Sequence, residues 1–178
     1  METVVELVKQ DKLRIEALKC VFQLNLPECY IAAGFVRNLV WDHLHQTPLA
    51  TPLNDIDVIY FNPRELDTNT HILYEQRLKM MMPHVNWQVR NQAFMHKRNN
   101  DEPYLSSIDA MSYWPEKETA VGIRLLTSSQ YECISAFGFD SLFDLKITHN
   151  PKRKLDIFEH RIKSKNWLVQ WPNLNVVK

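Results

Sequence analysis

Two carboxylates separated by a single residue, Asp55 and Asp57, open an apolar run that continues to Phe61. The run predicts a strand, and because side chains alternate along a strand, both carboxylates would lie on one face. Neighbouring like charges raise each other's pKa, a conflict that a bound hard cation removes. The pair therefore predicts a site for Mg²⁺ or Mn²⁺. A solvated acidic face on an edge strand is the alternative explanation.

A strand, a tight turn and a helix are predicted upstream of this pair. Strand-forming residues at 30–31 precede Gly34, and apolar residues at helical spacing follow it: Val36, Leu39, Val40 and Leu44. A glycine at such a turn lets the backbone approach a ligand closely, and the following helix N-terminus attracts anions. Arg37 in the first turn opposes the helix macrodipole, which indicates a bound anion or a carboxylate partner. A turn glycine and a surface arginine would be the simpler interpretation of these two residues alone.

The segment from Ala33 to Asn38, followed by Asn54-Asp55-Ile56-Asp57, resembles the core of the DNA-polymerase-beta-type nucleotidyltransferase superfamily. The tRNA CCA-adding branch of that superfamily carries Gly-Gly-x-Val-Arg-Asp and then Asp-x-Asp. Nearly everything after about Pro27 also resembles a family of uncharacterised bacterial nucleotidyltransferase-like proteins. That closer resemblance lies in residues 86–93, 112–116 and 119–124, and in the tail from Phe143 to Pro172.

The resemblance implies an α/β (α+β) chain with the polymerase-beta-like nucleotidyltransferase fold, a small mixed central sheet flanked by helices. It implies that Asp55 and Asp57 hold Mg²⁺ (or Mn²⁺) and act as catalytic residues. Gly34, Arg37 and Asn38 would bind a nucleoside triphosphate. The implied reaction moves a nucleoside monophosphate from that triphosphate to an acceptor that the sequence does not name.

The chain departs from the superfamily pattern at the glycine pair and after the arginine. Ala33 replaces the first glycine, and Asn38 replaces the acid that often follows the arginine. We expect the first change to be small, because alanine allows close approach in most backbone geometries.

A third carboxylate, usual in the superfamily, is missing from the next predicted strand. That strand offers only Gln88 and Asn91 as weaker substitutes. Asp109 is the nearest later acid and our candidate third metal ligand. However, residues 106–111 resemble a helix start, where an aspartate is also explained by capping and by the helix dipole.

Length and charge favour one enzyme-sized domain that acts on a small substrate. The 178 residues predict a single nucleotidyltransferase-like domain, 1–178, with an N-terminal helical segment at about 1–25. Lys plus Arg and Asp plus Glu both number 21, so the net charge is zero. A protein that grips long nucleic acid usually has a basic surface, so this balance argues against such a partner. The sequence does not indicate an oligomeric state.

The cysteines and the N-terminus predict a cytoplasmic protein. The three cysteines, Cys20, Cys29 and Cys133, form neither a disulfide framework nor a CxxC metal motif, which fits a reducing compartment. Residues 1–10 lack the apolar stretch of a signal peptide. No run approaches the roughly 20 apolar residues of a membrane span.

Further elements are predicted from periodicity and turn residues. They are a helix at 64–82, a strand at 87–93, an exposed loop at 97–103, a strand at 120–126, a short helix at 129–139, a strand or helix at 142–147 and a last helix at 152–164.

Three functional interpretations follow from these observations. The first is a metal-dependent nucleotidyltransferase. The second is a nucleotide-binding or regulatory module on the same fold that has lost its chemistry, which the missing third carboxylate motivates. The third is a structural or partner-binding protein whose acidic pair is merely solvated.

Overall fold

The computed structural model describes residues 3–178, so the first two residues of the predicted N-terminal helical segment lie outside the described residues. The prediction that no signal peptide is present also falls partly on those two residues. The helices are α1 Val4–Gln10, α2 Lys12–Phe22, α3 Gly34–Leu44, α4 Thr70–Met81, α5 Gln92–Asn99, α6 Ser107–Met111, α7 Asp140–Phe143, α8 Leu155–Ser164 and α9 Trp167–Gln170, with a 3₁₀ turn at Lys117–Thr119. The strands are β1 Tyr30–Ala32, β2 Ile56–Tyr60, β3 Trp87–Asn91, β4 Val121–Leu125, β5 Tyr131–Ser135, β6 Lys146–Thr148 and β7 Asn175–Val177.

A mixed five-stranded sheet in the order β3-β2-β1-β4-β5 forms the centre of the molecule. Strands β2 and β3 run parallel, whereas β1 pairs antiparallel with β2 and β4, and β4 with β5. A parallel β6–β7 pair forms a second, small sheet. This arrangement confirms the predicted small mixed sheet flanked by helices.

Strand alternation gives the central sheet two different faces. Ile31, Val58 and Val89 belong to the main core, together with residues of helices α1, α2 and α3. The other face carries a smaller cluster that includes Tyr30, Ile59 and, from α6, Met111. Since Asp57 lies two residues before Ile59, it is placed on this second, less covered face.

Four of the predicted elements differ from the structure in type or in their bounds. The predicted helix at 129–139 is wrong, because Tyr131–Ser135 in this range form β5, whose backbone pairs antiparallel with β4 along its whole length. The predicted loop at 97–103 is wrong at its start, since α5 continues to Asn99 and ends at Asn100 in the left-handed conformation, with φ 56°. Helix α4 begins at Thr70, later than the predicted 64, and α8 begins at Leu155.

The described cysteines are free thiols, and Cys20 and Cys29 are buried. None of the helices formed by residues 3–178 has the length and apolar character that a membrane-spanning helix requires.

Candidate active site

The turn between β1 and α3 has a backbone conformation that residues other than glycine rarely adopt. Ala33 has φ 56° and ψ −123°. Its amide donates to the Val121 carbonyl at 3.0 Å, and its carbonyl accepts from the amides of Val36 and Arg37 at 3.1 and 2.9 Å. These bonds hold a conformation that costs about 1–3 kcal/mol for a residue other than glycine. The expectation that alanine is a small change here is therefore wrong, because the position requires a positive φ.

Asp57 lies in β2 with Ala32 of β1 opposite it on one side and Gln88 of β3 on the other. Asp55 immediately precedes the same strand. Both aspartates line a cleft of about 420 Å³ that Gly34 also lines. The structure thus brings the predicted residues together: Gly34, Arg37, Asn38, Asp55 and Asp57 all face this cleft.

Gln88 is the polar residue of the neighbouring strand that reaches the acidic pair. Its Nε2 donates to Asp55 Oδ2 at 3.0 Å. Asn91, the other substitute considered, instead donates to the Asn62 carbonyl and to Glu65, at 2.9 and 2.7 Å.

Asp109 is not brought to the acidic pair. It lies in the first turn of α6, where its Oδ2 accepts from the Leu105 amide at 2.9 Å, and it is absent from the lining of the cleft. Its amide donates to the hydroxyl of the N-cap residue Ser106 at 3.0 Å. These contacts fit the capping explanation, and in this arrangement Asp109 does not complete a ligand set with Asp55 and Asp57.

The electrostatics of the pair favour a cation. Burial, together with the neighbouring Asp55 carboxylate, raises the pKa of Asp57 to about 6, although Arg37 and Lys165 act in the opposite direction. Among residues 3–178 no group of three or more His, Cys, Asp or Glu is arranged to hold a metal ion. Two carboxylates beside an amide nevertheless fit Mg²⁺, which is commonly bound by one or two carboxylates, with waters and substrate phosphates completing its shell.

Arg37 is a buried cation, only 7 % exposed. Its Nη1 donates to Thr119 Oγ1 at 2.6 Å and its Nη2 to Asn38 Oδ1 at 2.9 Å. Its Nε is buried without a hydrogen-bond partner in the described part of the chain. Burial lowers the pKa of Arg37 to about 10, so the guanidinium is still charged at neutral pH.

Sequence reasoning missed the basic residues that reach the cleft from the C-terminal part of the chain. Arg161 in α8 and Lys165 just after it line the cleft, as does Trp167 at the start of α9. The sequence contains no local signal for them, because they join the site only through the packing of α8 and α9.

The chain is similar in sequence and in structure to nucleotidyltransferases. A family model described as nucleotidyltransferase matches residues 19–176. A structure described as an NMR structure that reveals a CCA-adding enzyme head domain superposes with a TM-score of 0.84 at 30% identity, over 97% of this chain and 93% of that chain. No match was found among curated proteins.

A second similar structure is described as the complex of a CCA-adding enzyme with CTP. It superposes with a TM-score of 0.62 at 14% identity, over 99% of this chain. The present chain spans only 44% of that longer protein, so this similarity concerns the fold alone. Together with the first structure, it confirms the predicted polymerase-beta-like nucleotidyltransferase fold.

Proposed function

This chain belongs to the nucleotidyltransferase family, and we propose that it transfers a nucleoside monophosphate from a nucleoside triphosphate to an acceptor, with Mg²⁺ or Mn²⁺ held by Asp55 and Asp57. The observation that carries the proposal is that these carboxylates line the same cleft as Gly34 and Arg37, at the start of α3. A CCA-adding enzyme of this fold has been solved with CTP, which supports a triphosphate as the substrate class. The free thiols fit the cytoplasmic location that we also propose.

The turn before α3 is suited to phosphate. A Cβ added at Gly34 would stand 3.4 Å from Asn38 Nδ2 and 3.5 Å from Arg37 Nη2. A side chain at this position would therefore fill the space beside the groups that we assign to substrate binding. Arg37 offsets phosphate charge, while Asn38 holds one arm of its guanidinium through the 2.9 Å hydrogen bond.

The proposed reaction is an in-line displacement at the α-phosphorus. A hydroxyl of the acceptor forms the new P–O bond, the α–β anhydride bond breaks, pyrophosphate leaves and the hydroxyl proton passes to water. A bound divalent cation would supply charge neutralisation at the phosphate oxygens and lower the pKa of the attacking hydroxyl. Asp55 and Asp57 would hold that cation, Gln88 orients Asp55, and Arg37 would stabilise charge on the phosphates.

The test combines binding and turnover. Thermal-shift screens of the four nucleoside triphosphates, with and without Mg²⁺ or Mn²⁺, should show much greater stabilisation when both components are present than with either alone, since a ligand that binds the native state raises its stability. Pyrophosphate release is then measured with a panel of acceptors. The double variant Asp55→Asn, Asp57→Asn should lose the metal-dependent part of the stabilisation and should release no pyrophosphate. Asp109→Asn, an acid outside the cleft, serves as the matched control and should keep both the stabilisation and the pyrophosphate release.

A catalytically degenerate nucleotide-binding module is the second candidate. The observation that favours it is Gln88, an uncharged amide on the strand beside the acidic pair, where no third carboxylate stands. If the protein binds triphosphate with Mg²⁺ yet releases no pyrophosphate with any acceptor, this second function replaces the first. If neither binding nor release is observed, both are excluded.

A further inference from the structure

Two basic residues outside the superfamily motif of residues 33–38 and 54–57 reach the cleft from the C-terminal helices, Arg161 in α8 and Lys165 just after it. We propose that Arg161 and Lys165, together with Arg37, form the subsite for the pyrophosphate portion of the substrate, the part that leaves. This inference rests on the proposed triphosphate substrate, but it assigns a separate function to residues that the motif does not contain.

Arg161 is held in place by a fully buried acid. Its Nε donates to Glu116 Oε1 at 2.5 Å and its Nη2 to Glu116 Oε2 at 3.3 Å. Glu116 has no exposed surface, whereas the Arg161 side chain is 34 % exposed. This two-point contact fixes the plane of the guanidinium. Within residues 3–178 its Nη1 makes no hydrogen bond, so a donor is left for a ligand in the cleft.

The guanidinium groups of Arg37 and Arg161 lie near one indole ring. The Arg37 guanidinium carbon is 4.4 Å from the centre of the Trp167 ring, and that of Arg161 is 6.0 Å from it. The charge of Arg161 contributes to the lowered pKa of Arg37, which shows that the two cations repel each other. Cation–π contact with Trp167 offsets part of this repulsion. A polyanion between the guanidinium groups would remove the rest.

Lys165 extends this positive region to the rim of the cleft. It is exposed, and its charge acts to lower the pKa of Asp57, so it lies within electrostatic range of the acidic pair. Over the described residues Lys165 forms no salt bridge, and none of the three cations forms one with Asp55 or Asp57.

The carboxylates and the cations that line the cleft are therefore separated rather than paired with each other, since the partner of Arg161, Glu116, does not line the cleft. If the three cations served only to compensate Asp55 and Asp57, they would contact those carboxylates directly, because that contact compensates both charges at once. Here the acidic side is left available for a metal ion and the basic side for an anion. A complex of a divalent cation with a triphosphate has both parts, and its β- and γ-phosphates carry most of its negative charge.

The test uses inorganic pyrophosphate as the probe and isothermal titration calorimetry on the full chain in excess EDTA, so that no metal bridges the anion to the carboxylates. Arg161→Gln and Lys165→Gln should each weaken pyrophosphate binding about tenfold, the loss expected for one charge-assisted contact. Lys163→Gln is the matched control, since Lys163 is an exposed lysine of the same helix that does not line the cleft. The Lys163→Gln variant should bind pyrophosphate with the affinity of the wild type.

Thermal melts establish that each variant is folded. If Arg161→Gln does not fold, the test relies on Lys165→Gln, because Lys165 is exposed and its replacement should not affect folding. The proposal is overturned if the wild type does not bind pyrophosphate, if the folded variants bind as the wild type does, or if Lys163→Gln weakens binding equally. Failure of the proposed function has a different signature. Pyrophosphate would then bind through Arg161 and Lys165, while no triphosphate would be turned over.

Discussion

The side-chain amide of Gln88 donates to the Asp55 carboxylate at 3.0 Å, from a position directly beside Asp57 in the parallel β2–β3 ladder. The neighbouring strand thus contributes a neutral group to the acidic pair. An amide oxygen is a weaker ligand for a hard cation than a carboxylate, although the side chain can present either its nitrogen or its oxygen.

Gln88→Glu should convert this site into one with three carboxylates. In EDTA, a third negative charge beside Asp55 and Asp57 should lower the melting temperature relative to the wild type. With excess Mg²⁺ the stabilisation of the variant should exceed that of the wild type, because more charge contacts the cation. Differential scanning calorimetry with and without Mg²⁺ measures both effects. An equal response to Mg²⁺ in the two proteins would show that residue 88 does not contact the metal.

Asp57→Asn should stabilise the metal-free protein at neutral and alkaline pH. The pKa of Asp57 rises from 3.8 to about 6 on folding, so between these values the native state binds more protons than the unfolded state. The stability of the wild type therefore falls as pH rises from about 4 to about 6. Above this range the ionised group costs a constant amount, on the order of 1–3 kcal/mol.

Urea unfolding in EDTA at pH 8 and at pH 4 measures this difference. The variant should be the more stable protein at pH 8, and its advantage should shrink toward pH 4. A variant that is less stable than the wild type at pH 8 would show that Asp57 is ionised in the native state without such a cost.

Ala33→Gly should increase stability, because glycine adopts the φ of 56° and ψ of −123° at this turn without strain. Relief of about 1–3 kcal/mol of strain exceeds the entropic cost of about 0.5–1 kcal/mol that a glycine carries. Ala32→Gly, the same change one residue earlier in regular β1, is the matched control and should destabilise. Denaturant unfolding of the two variants should give changes of opposite sign. Destabilisation by both would mean that residue 33 is not strained.

The local part of the site could be predicted from the sequence. Asp55 and Asp57 line the same cleft, as alternation along an extended segment predicts, and Gly34 falls at the turn because a strand is followed by a helix at that point. Both rules act over a few residues. Helix α3, strands β1 to β4 and the N-terminal helices followed from the same kind of pattern.

The non-local part could not be predicted in this way. Arg161 meets Glu116 only after α8 has packed against the region before β4, and no spacing in the sequence encodes that contact. The sequence does not predict strand β5, because β5 is half-buried along its length and lacks the alternation that marks a strand with one buried face. The positive φ of Ala33 likewise results from hydrogen bonds to Val121 and α3 rather than from its own preference.

Arg37 is predicted to contribute to ligand binding rather than to folding. Its guanidinium carbon lies 5.1 Å from the Trp41 ring centre and 4.4 Å from that of Trp167, and burial disfavours its charge. Arg37→Met would keep an unbranched side chain between the two rings and remove the buried charge. Removing a buried charge that contacts no carboxylate relieves its desolvation cost, and this relief offsets the loss of the hydrogen bonds to Thr119 and Asn38. We therefore expect unfolding stability within about 1 kcal/mol of the wild type.

Triphosphate affinity, measured by calorimetry with Mg²⁺, should in contrast fall about tenfold or more in Arg37→Met, because a charge-assisted contact to phosphate is lost. Arg14→Met is the matched control. Arg14 is also buried, 2 % exposed, but its Nε donates to the Phe35 carbonyl at 2.8 Å and it lies outside the cleft. That variant should retain the affinity of the wild type, and it should be destabilised through loss of the bond to Phe35. If Arg37→Met binds triphosphate as tightly as Arg14→Met does, Arg37 is a structural residue, and the phosphate contacts must come from Arg161, Lys165 and the backbone at Gly34.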